Sequence, residues 1–475
     1  MRNDWSGQTF PHPPGRRPYV GDILGGHDPL TPVQNMLRRG RDLGPIFEMK
    51  ALDNKFVFVA GSELAAELCD ERRFLKNLVP GVSDLRMFAG DGLFTAYTHE
   101  PSWRLAHDLL VPSFSRAAMQ KYHQTMIDVA DELIERWDEA AAAGHDVEVS
   151  PDLTKVTLET IGRTSFSYSF ESFQKEEVDP FVTAMIHGLA HGARRGVTEA
   201  LPLGRWLVRR SDRRAMEVHR YIEDLLDDIV AQRIASGDTS QHDLLGRMLH
   251  ARHEDSGRGL DALNIRRQIL TFLVAGHETT SGALSFALHY LARNPDVMRA
   301  AQAELDRVLG PEVGANPTFE EVPRLRYLRR VFDETLRLWP TAPAFARSPK
   351  ETTTIGGAYR MRPQDWAMVF IPLLHRQPDV WPDPEVFDPD RFLPEHVRAR
   401  PAHTYKPFGT GERACIGRQF ALHEAILVLA KLLHRYDITD DPGYELRITE
   451  RLTLMPVGFR LHLTRRTPTP RSEFP

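Results

Sequence analysis

A lone cysteine set in a glycine-rich turn constrains the fold of this chain more than any other feature. The stretch from Phe408 to Gly417 reads Phe-Gly-Thr-Gly-Glu-Arg-Ala-Cys-Ile-Gly. Apolar residues at helical spacing follow between Phe420 and Leu433, which predicts that Cys415 lies at a helix N-terminus. Unpaired backbone N–H groups and the helix dipole favour an anion there and lower the pKa of a thiol. The pattern therefore indicates a stabilised thiolate.

Glycines and the scarcity of cysteine narrow the role of this thiolate. Gly409, Gly411 and Gly417 allow a tight turn beneath a flat ligand, with backbone amides directed at the sulfur. Cys69 is the only other cysteine, which excludes a disulfide framework and agrees with a reducing compartment. Such a turn suits a haem iron held by Cys415. The competing interpretation is a buried structural cysteine before a helix.

The spacing Phe-x-x-Gly-x-Arg-x-Cys-x-Gly resembles the haem-binding loop of the cytochrome P450 superfamily, the haem-thiolate monooxygenases, at every fixed position. The resemblance implies that Cys415 is the axial ligand of haem b and that Arg413 pairs with a haem propionate. It also implies that Phe408 packs near the sulfur and that Gly409 and Gly417 form part of the cofactor loop. Thiolate ligation raises the electron density on iron and favours O–O cleavage.

Length and composition fit one large enzyme domain. The 475 residues would suggest about two to four domains from length alone. The resemblance implies instead a single domain at 1–463, mainly α with small β-sheet regions and a long central helix over the haem, then a Pro-containing tail or linker at 464–475. The net charge of −5 gives no basic excess for nucleic acid. No bilayer-spanning apolar run or signal peptide is visible, so we expect a cytoplasmic protein without a membrane anchor.

The central helix is predicted from about Leu263 to Ala292, and Asp261 or Asn264 is available as its cap. Its middle reads Ala-Gly-His-Glu-Thr-Thr at 275–280, and polar groups inside a central helix carry a desolvation cost. The stretch resembles the oxygen-activation motif of the superfamily. That match implies that Thr279 holds iron-bound dioxygen and relays protons with Glu278. The alternative is a Thr279 hydroxyl that bonds back to a helix carbonyl.

The remaining patterns predict strands and helices around this frame. We expect a strand pair at 46–50 and 55–59, a loop-rich segment at 79–98, a helix that starts near Trp103, and helical periodicity from 117 to 233. Another helix follows Asn294-Pro295 and ends at Gly310. Strands are expected at 444–448, 452–455 and 459–463, where they close the small β region.

Three charged residues resemble the structural network of the superfamily. Glu334 and Arg337 are three apart on a predicted helix and can form an ion pair, of a kind that contributes about 0 to 1 kcal/mol when exposed. By the resemblance, Arg391 joins them from the stretch at 387–392. The network supports the haem loop and takes no part in catalysis.

A closer resemblance is to the self-sufficient bacterial fatty-acid hydroxylases, whose haem domain is fused to a diflavin reductase. It rests on the stretches at 276–282, 336–345 and 417–424. By residue matching, Phe94 stands over the haem and steers the oxidised carbon. The residues expected to line an apolar substrate channel are Val82, Leu85, Ala89, Ala275, Ala342 and Ala344. Further candidates to bind the haem are Lys76, Trp103 and His107.

The chain departs from that subgroup at two places. Asn54 and Phe58 stand where the subgroup has an arginine and a tyrosine that hold a fatty-acid carboxylate, and Lys55 is the available substitute. Neutral lipophiles are therefore candidate substrates beside fatty acids. The sequence ends at the Pro-containing tail without a flavin domain, so we expect the electrons to come from a separate flavoprotein or from a longer parent chain. The residues expected to form a basic docking face for that flavoprotein are Lys406, Arg413, Arg418 and Lys431.

A basic stretch from Arg194 to Arg214 favours a solvated helix face, with an entrance lid for anionic substrates as the alternative.

The function predicted for the whole chain is insertion of one oxygen atom of O2 into an apolar substrate. That substrate is a fatty acid or a related lipophile, hydroxylated subterminally with electrons from NADPH through a flavoprotein. The alternatives are a peroxide-driven peroxygenase and a non-catalytic haem sensor, neither of which needs a relay of Glu278 and Thr279.

Overall fold

The computed structural model describes residues 3, 5–22, 31–51, 54–79, 82–186 and 204–467. Helices dominate, as predicted. In chain order they are α1 (Pro32–Gly40), α2 (Ser62–Leu68), α3 (Val82–Ala89), α4 (Pro101–Leu110), α5 (Arg116–Ala143), α6 (Val149–Ile161), α7 (Gly204–Ala235), α8 (Leu244–His250), α9 (Ala262–Arg293), α10 (Pro295–Leu309), α11 (Arg326–Leu338), α12 (Ile371–Leu374), α13 (Pro394–Ala399) and α14 (Arg418–Arg435).

Twelve strands form four small sheets in the described part of the chain. They are β1 (Ile46–Ala51), β2 (Asn54–Val59), β3 (Phe74–Asn77), β4 (Val147–Glu148), β5 (Ala344–Pro349), β6 (Thr353–Ile355), β7 (Tyr359–Met361), β8 (Ala367–Phe370), β9 (Tyr436–Asp440), β10 (Ile448–Glu450), β11 (Leu454–Pro456) and β12 (Arg460–Arg465). The largest sheet has the order β1-β2-β8-β5-β3, and the others are β4-β12-β9, β10-β11 and β6-β7.

The central helix α9 organises the core. Its first turn is capped by Asp261, whose carboxylate accepts the Asn264 N–H at 2.8 Å, so Asp261 is the cap. At 32 residues it is about 48 Å long and crosses the domain. Helix α6 packs so closely on it that a Cβ at Gly276 would lie 2.9 Å from the Ile161 side chain. The buried faces of α5, α6, α9 and α14 make up much of the main core.

Several element predictions need correction. Helix α3 occupies part of the segment predicted as loop, and β4 interrupts the predicted helical region. The stretch from Tyr444 to Arg447 is not a strand, whereas β9, which we did not predict, is. The C-terminal strands do not close the N-terminal sheet: β10 pairs with β11, and β12 pairs with β9 and β4. The errors in the strands share one reason, which is that strand partners are non-local and carry no local sequence signal.

The folded part of the chain extends beyond the predicted C-terminal boundary. Strand β12 includes residues 464 and 465, and Arg466 pairs with Asp306 at 3.0 Å, so folded structure continues past the predicted boundary at 463. Residues 468–475 of the predicted tail lie outside the described residues, as do Arg194 and Arg195 and the side chains at 205–214. Among the described residues, no helix is both long and apolar enough to cross a lipid bilayer.

Candidate active site

The cysteine loop is built on two left-handed glycines. Gly409 and Gly411 have φ angles of 70° and 67°, which other residues rarely adopt. Gly417, by contrast, has a φ of −83° and does not need to be glycine for its backbone, contrary to the prediction. The Cys415 N–H donates to the Phe408 carbonyl at 2.8 Å, which closes the loop just before α14 begins.

A neighbouring carboxylate fixes the loop. Glu71 follows α2, and its side chain accepts the backbone N–H of Glu412 at 2.8 Å. A Cβ on Gly411 would lie 2.1 Å from the same carboxylate, so only glycine fits there without a shift. Nothing in the sequence pointed to Glu71. Its contact shows that the loop is held from the β-sheet side as well as by its own helix.

The pKa of the Cys415 thiol departs from the prediction. Burial raises it, while the Gly417 N–H and the Arg418 charge lower it by less. The predicted depressed pKa is therefore wrong for the free thiol, because desolvation outweighs the helix terminus. Protein atoms surround the Cys415 thiol, yet part of its side chain remains accessible to solvent. A bound cation would supply the missing stabilisation, because a thiol that coordinates a metal is deprotonated.

The segment at 92–96 joins the cysteine loop to the central helix. The Leu93 N–H donates to the Gln268 side chain at 2.9 Å, and a Cβ at Gly92 would meet the Thr271 hydroxyl. At the other end, Arg413 Nη2 donates to the Ala96 carbonyl at 2.5 Å. The loop and α9 are therefore parts of one site.

Three cations gather beside the loop without acidic partners. Lys76, Arg347 and Arg413 form no ion pair with any carboxylate in the described part of the chain, and Arg413 Nη1 is buried with no hydrogen-bond partner. Burial, with Arg413 and Arg347 nearby, lowers the pKa of Lys76 well below its ordinary value. Burial likewise lowers the pKa of Arg413 to about 10. Arg347 is buried, and Lys76 and Arg413 are half-buried. Cations removed from water without an ion-pair partner are costly, so this cluster fits a ligand with anionic groups.

The aromatic candidates differ in their relation to this cluster. The Arg413 guanidinium lies 4.4 Å from the centre of the buried Trp103 ring, while Lys76 bonds to the Phe94 carbonyl and lies over its ring. His107 stacks on Trp103 but directs Nδ1 to Asp108 at 3.2 Å. The structure thus places Trp103, Phe94 and Lys76 at the cluster, and His107 at its edge.

The polar centre of α9 points in two directions. Thr279 Oγ1 donates to the Ala275 carbonyl at 2.8 Å, the back-bonded arrangement considered as the alternative. Glu278 is 3% exposed and faces elsewhere: its carboxylate accepts from Thr453 at 3.1 Å and lies 3.9 Å from Arg451. The two predicted relay residues are therefore not hydrogen-bonded to each other. Ala275 and Thr279 continue the helix face that contacts the 92–96 segment, because they lie one and two turns beyond Thr271.

The expected channel residues separate by exposure. Phe94 is 39% exposed, Ala275 and Ala342 are also exposed, and Val82 and Ala344 are half-buried. Leu85 and Ala89 are almost fully buried and pack in the main core. The accessible wall is thus apolar but narrower than predicted.

Lys55 on the β1–β2 hairpin is already engaged by other groups of the protein. Lys55 donates to the Gln8 carbonyl at 2.5 Å and pairs with Glu48 at 3.1 Å, so its expected role as a substitute anchor does not match its position. Phe58 is buried between aromatic neighbours in the same apolar cluster as Ala344. Asn54 is exposed and uncharged.

The charged scaffold is buried, not exposed. Arg337 Nε and Nη2 donate to the Glu334 carboxylate at 2.6 and 2.7 Å, both side chains are fully buried, and Arg391 Nε lies 3.4 Å from Glu334. Burial raises the pKa of Glu334 although Arg337 lowers it. His375, which the sequence did not suggest, accepts the Lys406 N–H at 2.8 Å and ties this network to the approach of the cysteine loop.

The predicted basic docking face is not a continuous surface. Lys431 is 1% exposed and donates to Asp131 at 2.6 Å, while Arg413 belongs to the buried cluster. Arg418 is exposed and Lys406 is half-buried. Ala430 and Leu432, which flank Lys431, are buried as well, so the lysine lies on an inward-facing part of α14.

The sequence model of the family described as Cytochrome P450 matches residues 11–463. The chain belongs to this family. Cytochromes P450 bind haem through a cysteine thiolate, and the Cys415 loop beside three uncompensated cations fits a flat iron cofactor with two carboxylates. Within the described residues, no group of three or more His, Cys, Asp or Glu side chains offers another metal site.

Several longer proteins are similar to this cytochrome P450 over most of its length, and two of them are named as bifunctional with a reductase. Bifunctional cytochrome P450/NADPH–P450 reductase of Bacillus cereus is 44% identical over 444 residues, which are 93% of this chain and 41% of that protein. Bifunctional cytochrome P450/NADPH–P450 reductase 1 of Bacillus subtilis is 44% identical over 440 residues, which are 92% of this chain and 41% of that protein. The self-sufficient cytochrome P450 monooxygenase CYP505E3 of Phanerodontia chrysosporium is 36% identical over 457 residues, which are 96% of this chain and 42% of that protein. The chain thus spans about two fifths of these relatives.

Proposed function

We propose that the chain is the haem domain of a monooxygenase that inserts one oxygen atom of O2 into an apolar substrate. The electrons come from NADPH through a flavoprotein reductase, either separate or in a longer parent chain. The observation that carries the proposal is the cluster of Lys76, Arg347 and Arg413 beside the Cys415 loop, since these cations match the two carboxylates of haem. The reductase fused to the relatives supports the electron source.

Haem, when bound, supplies the oxygen-activating chemistry, and the protein supplies orientation and protons. Cys415 would hold the iron, and Arg413 with Lys76 would orient the propionates. Thr279 lies on the accessible face of α9, where its hydroxyl would pass a proton once it leaves the Ala275 carbonyl. Glu278 would bring that proton from the far side of the helix.

The proposed substrate is a fatty acid or a related lipophile held mainly by apolar contacts. Phe94, Ala275 and Ala342 offer an apolar wall. Lys55 is already paired with Glu48, so it offers a substrate carboxylate no free charge. Neutral long-chain alcohols and amides should bind at least as well as the matched acid.

A spectral titration of the ferric protein tests the substrate class. Displacement of iron-bound water is followed while a saturated fatty acid, its alcohol and its amide are added in turn. Equal or stronger responses to the neutral compounds support the proposal. A response to the acid alone would show that a cation other than the paired Lys55 recognises the carboxylate.

Two variants test the cofactor and relay roles. Cys415→Ser should abolish the thiolate band of the carbon monoxide complex, whereas the matched Cys69→Ser should keep it. Thr279→Ala should divert electrons from product to peroxide, with the neighbouring Thr280→Ala as control. Unchanged oxygen and NADPH balance in Thr279→Ala would favour a non-catalytic haem protein, and turnover with peroxide but with no reductase would favour a peroxygenase.

A further inference from the structure

The carboxylate of Glu278 leads away from Thr279 toward the protein surface. Its Oε2 accepts the Thr453 hydroxyl at 3.1 Å, and its Oε1 lies 3.9 Å from Arg451 Nη1. The Glu278 side chain is 4% exposed, whereas that of Arg451 is 35% exposed. The pair therefore bridges the interior of the central helix and bulk water.

The turn between β10 and β11 holds Arg451 in this position. The Arg451 N–H donates to the Thr453 carbonyl at 3.0 Å, and the Leu454 N–H donates to the Thr341 carbonyl at 3.0 Å. The hairpin presses on α9 at Gly282, where a Cβ would lie 2.6 Å from the Leu454 carbonyl. Gly282 is four residues beyond Glu278 and so lies on the same face of α9. Backbone contacts thus place the guanidinium next to the carboxylate.

Arg451 and Glu278 are each other's partner. In the part of the chain that the structure describes, Arg451 forms no second ion pair, and no other cation pairs with Glu278. The other titratable group at this point is His277, whose pKa is lowered by burial and whose Nδ1 faces the Leu273 carbonyl. His277 is therefore neutral and does not compete for the carboxylate. Arg451 therefore acts mainly on the almost fully buried carboxylate of Glu278.

We propose that Arg451 is the solvent-side positioning residue for Glu278 in proton delivery, an inference that rests on the proposed monooxygenase function. Arg451 holds the carboxylate at the outer end of a short route, where the carboxylate takes a proton from water. The carboxyl group then turns about its side-chain bonds toward the Thr279 side of α9 and releases the same proton there. Arg451 stays protonated throughout, so no other reactant is consumed.

The expected effect is intermediate in size. Loss of Arg451 leaves Glu278 able to carry protons but without its outer position. We therefore expect Arg451→Gln to lower product per NADPH by about 3- to 10-fold, below the roughly 100-fold contribution of a group that itself transfers the proton. Arg451→Lys keeps the charge and should retain most of the coupling.

A double-mutant cycle on the haem-loaded protein, supplied with a diflavin reductase, tests the inference. Its members are Arg451→Gln, Glu278→Gln and the double variant, and Arg460→Gln is the control because Arg460 pairs with the exposed Glu148 on another sheet. The readouts are product per NADPH, the solvent deuterium isotope effect on NADPH use, and the thermal midpoint. We expect a larger solvent isotope effect in Arg451→Gln than in wild type, and no further loss of product per NADPH in the double variant than in Glu278→Gln. The changes in thermal midpoint should not add, because the two side chains interact. Arg460→Gln should behave like wild type in all three measurements.

Separate outcomes overturn separate statements. If Arg451→Gln keeps the wild-type product per NADPH while Glu278→Gln loses it, the role of Glu278 stands and that of Arg451 is overturned. An additional loss in the double variant shows that Arg451 acts independently of Glu278 and also overturns it. Wild-type coupling in Glu278→Gln removes the relay from the proposed function and this inference with it. The thermal midpoints are read without turnover, so they show whether the pair interacts even if a variant is inactive.

Discussion

Replacement of Glu424 by glutamine offers a direct test of the electrostatics inside this protein. Glu424 lies on α14 and is fully buried, and neither carboxylate oxygen has a hydrogen-bond partner in the described structure. Burial raises its pKa from 4.5 to about 8, and the nearby Thr160 hydroxyl offsets only part of that effect. The side chain is therefore a neutral carboxylic acid at pH 7.

The size and sign of the effect follow from linkage. The folded protein keeps this proton up to pH 8, whereas the unfolded chain loses it near pH 4.5. Stability should therefore fall by about 1.4 kcal/mol per pH unit as pH rises through that window. Over the difference of about 3.5 between the two pKa values, the total is on the order of 5 kcal/mol. Below the lower value the penalty is absent, and above the higher value it is complete.

Urea unfolding between pH 5 and 9 measures this effect. Glu424→Gln has nearly the same shape but no titration, so its unfolding free energy relative to wild type should rise with pH and level off above 8. The exposed Glu445→Gln serves as the control and should follow wild type. Parallel stability curves for wild type and Glu424→Gln would refute the reasoning, because they would mean that the carboxyl is solvated in the folded state.

Three further substitutions test other parts of the structure. Arg337→Met removes the two-point ion pair of the buried Glu334 and leaves it Arg391 as its ion-pair partner, so the unfolding free energy should fall by about 3–5 kcal/mol. A loss below about 1 kcal/mol would contradict the buried network. Gly282→Ala forces the β10–β11 hairpin outward and should cost about 1–3 kcal/mol, visible in the melting temperature unless the contact is looser than described. Glu48→Gln removes the ion pair of Lys55, which then keeps its hydrogen bond to the Gln8 carbonyl. The affinity ratio of fatty acid to matched alcohol should rise about two- to fivefold in the spectral titration, and an unchanged ratio would place Lys55 beyond reach of the substrate.

Local physics made the cysteine loop and the central helix predictable. The left-handed turns at Gly409 and Gly411 need glycine, and this need is written directly into the sequence. The cap at Asp261 and the 3.6-residue periodicity after it likewise depend only on near neighbours. These features require no knowledge of the rest of the fold, so their prediction succeeded to within a few residues.

The ends of long side chains and the strand partners were not predictable in the same way. Lys55 and Lys431 both read as surface cations, yet each reaches an acidic partner that the fold supplies. The direction of Glu278, away from Thr279, depends on a hairpin more than 170 positions later. The cation cluster was only partly foreseen, since Arg347 comes from β5 and meets Lys76 across the β3–β5 pair. Apart from the Lys55–Glu48 pair, which lies within one hairpin, the deciding contacts join residues far apart in the sequence, and none of them has a periodic signature.

The buried network also bears on maturation of the protein. Arg337 holds the carbonyls of His375, Pro384 and Val386, and His375 in turn receives the N–H of Lys406 just before the cysteine loop. The approach to the cysteine loop therefore takes its shape only when this network has formed. A defect in the network should then impair cofactor uptake. Cells that express a scaffold variant should accumulate apoprotein with an intact thiol, and the ratio of bound haem to polypeptide would report on assembly before any change in catalysis.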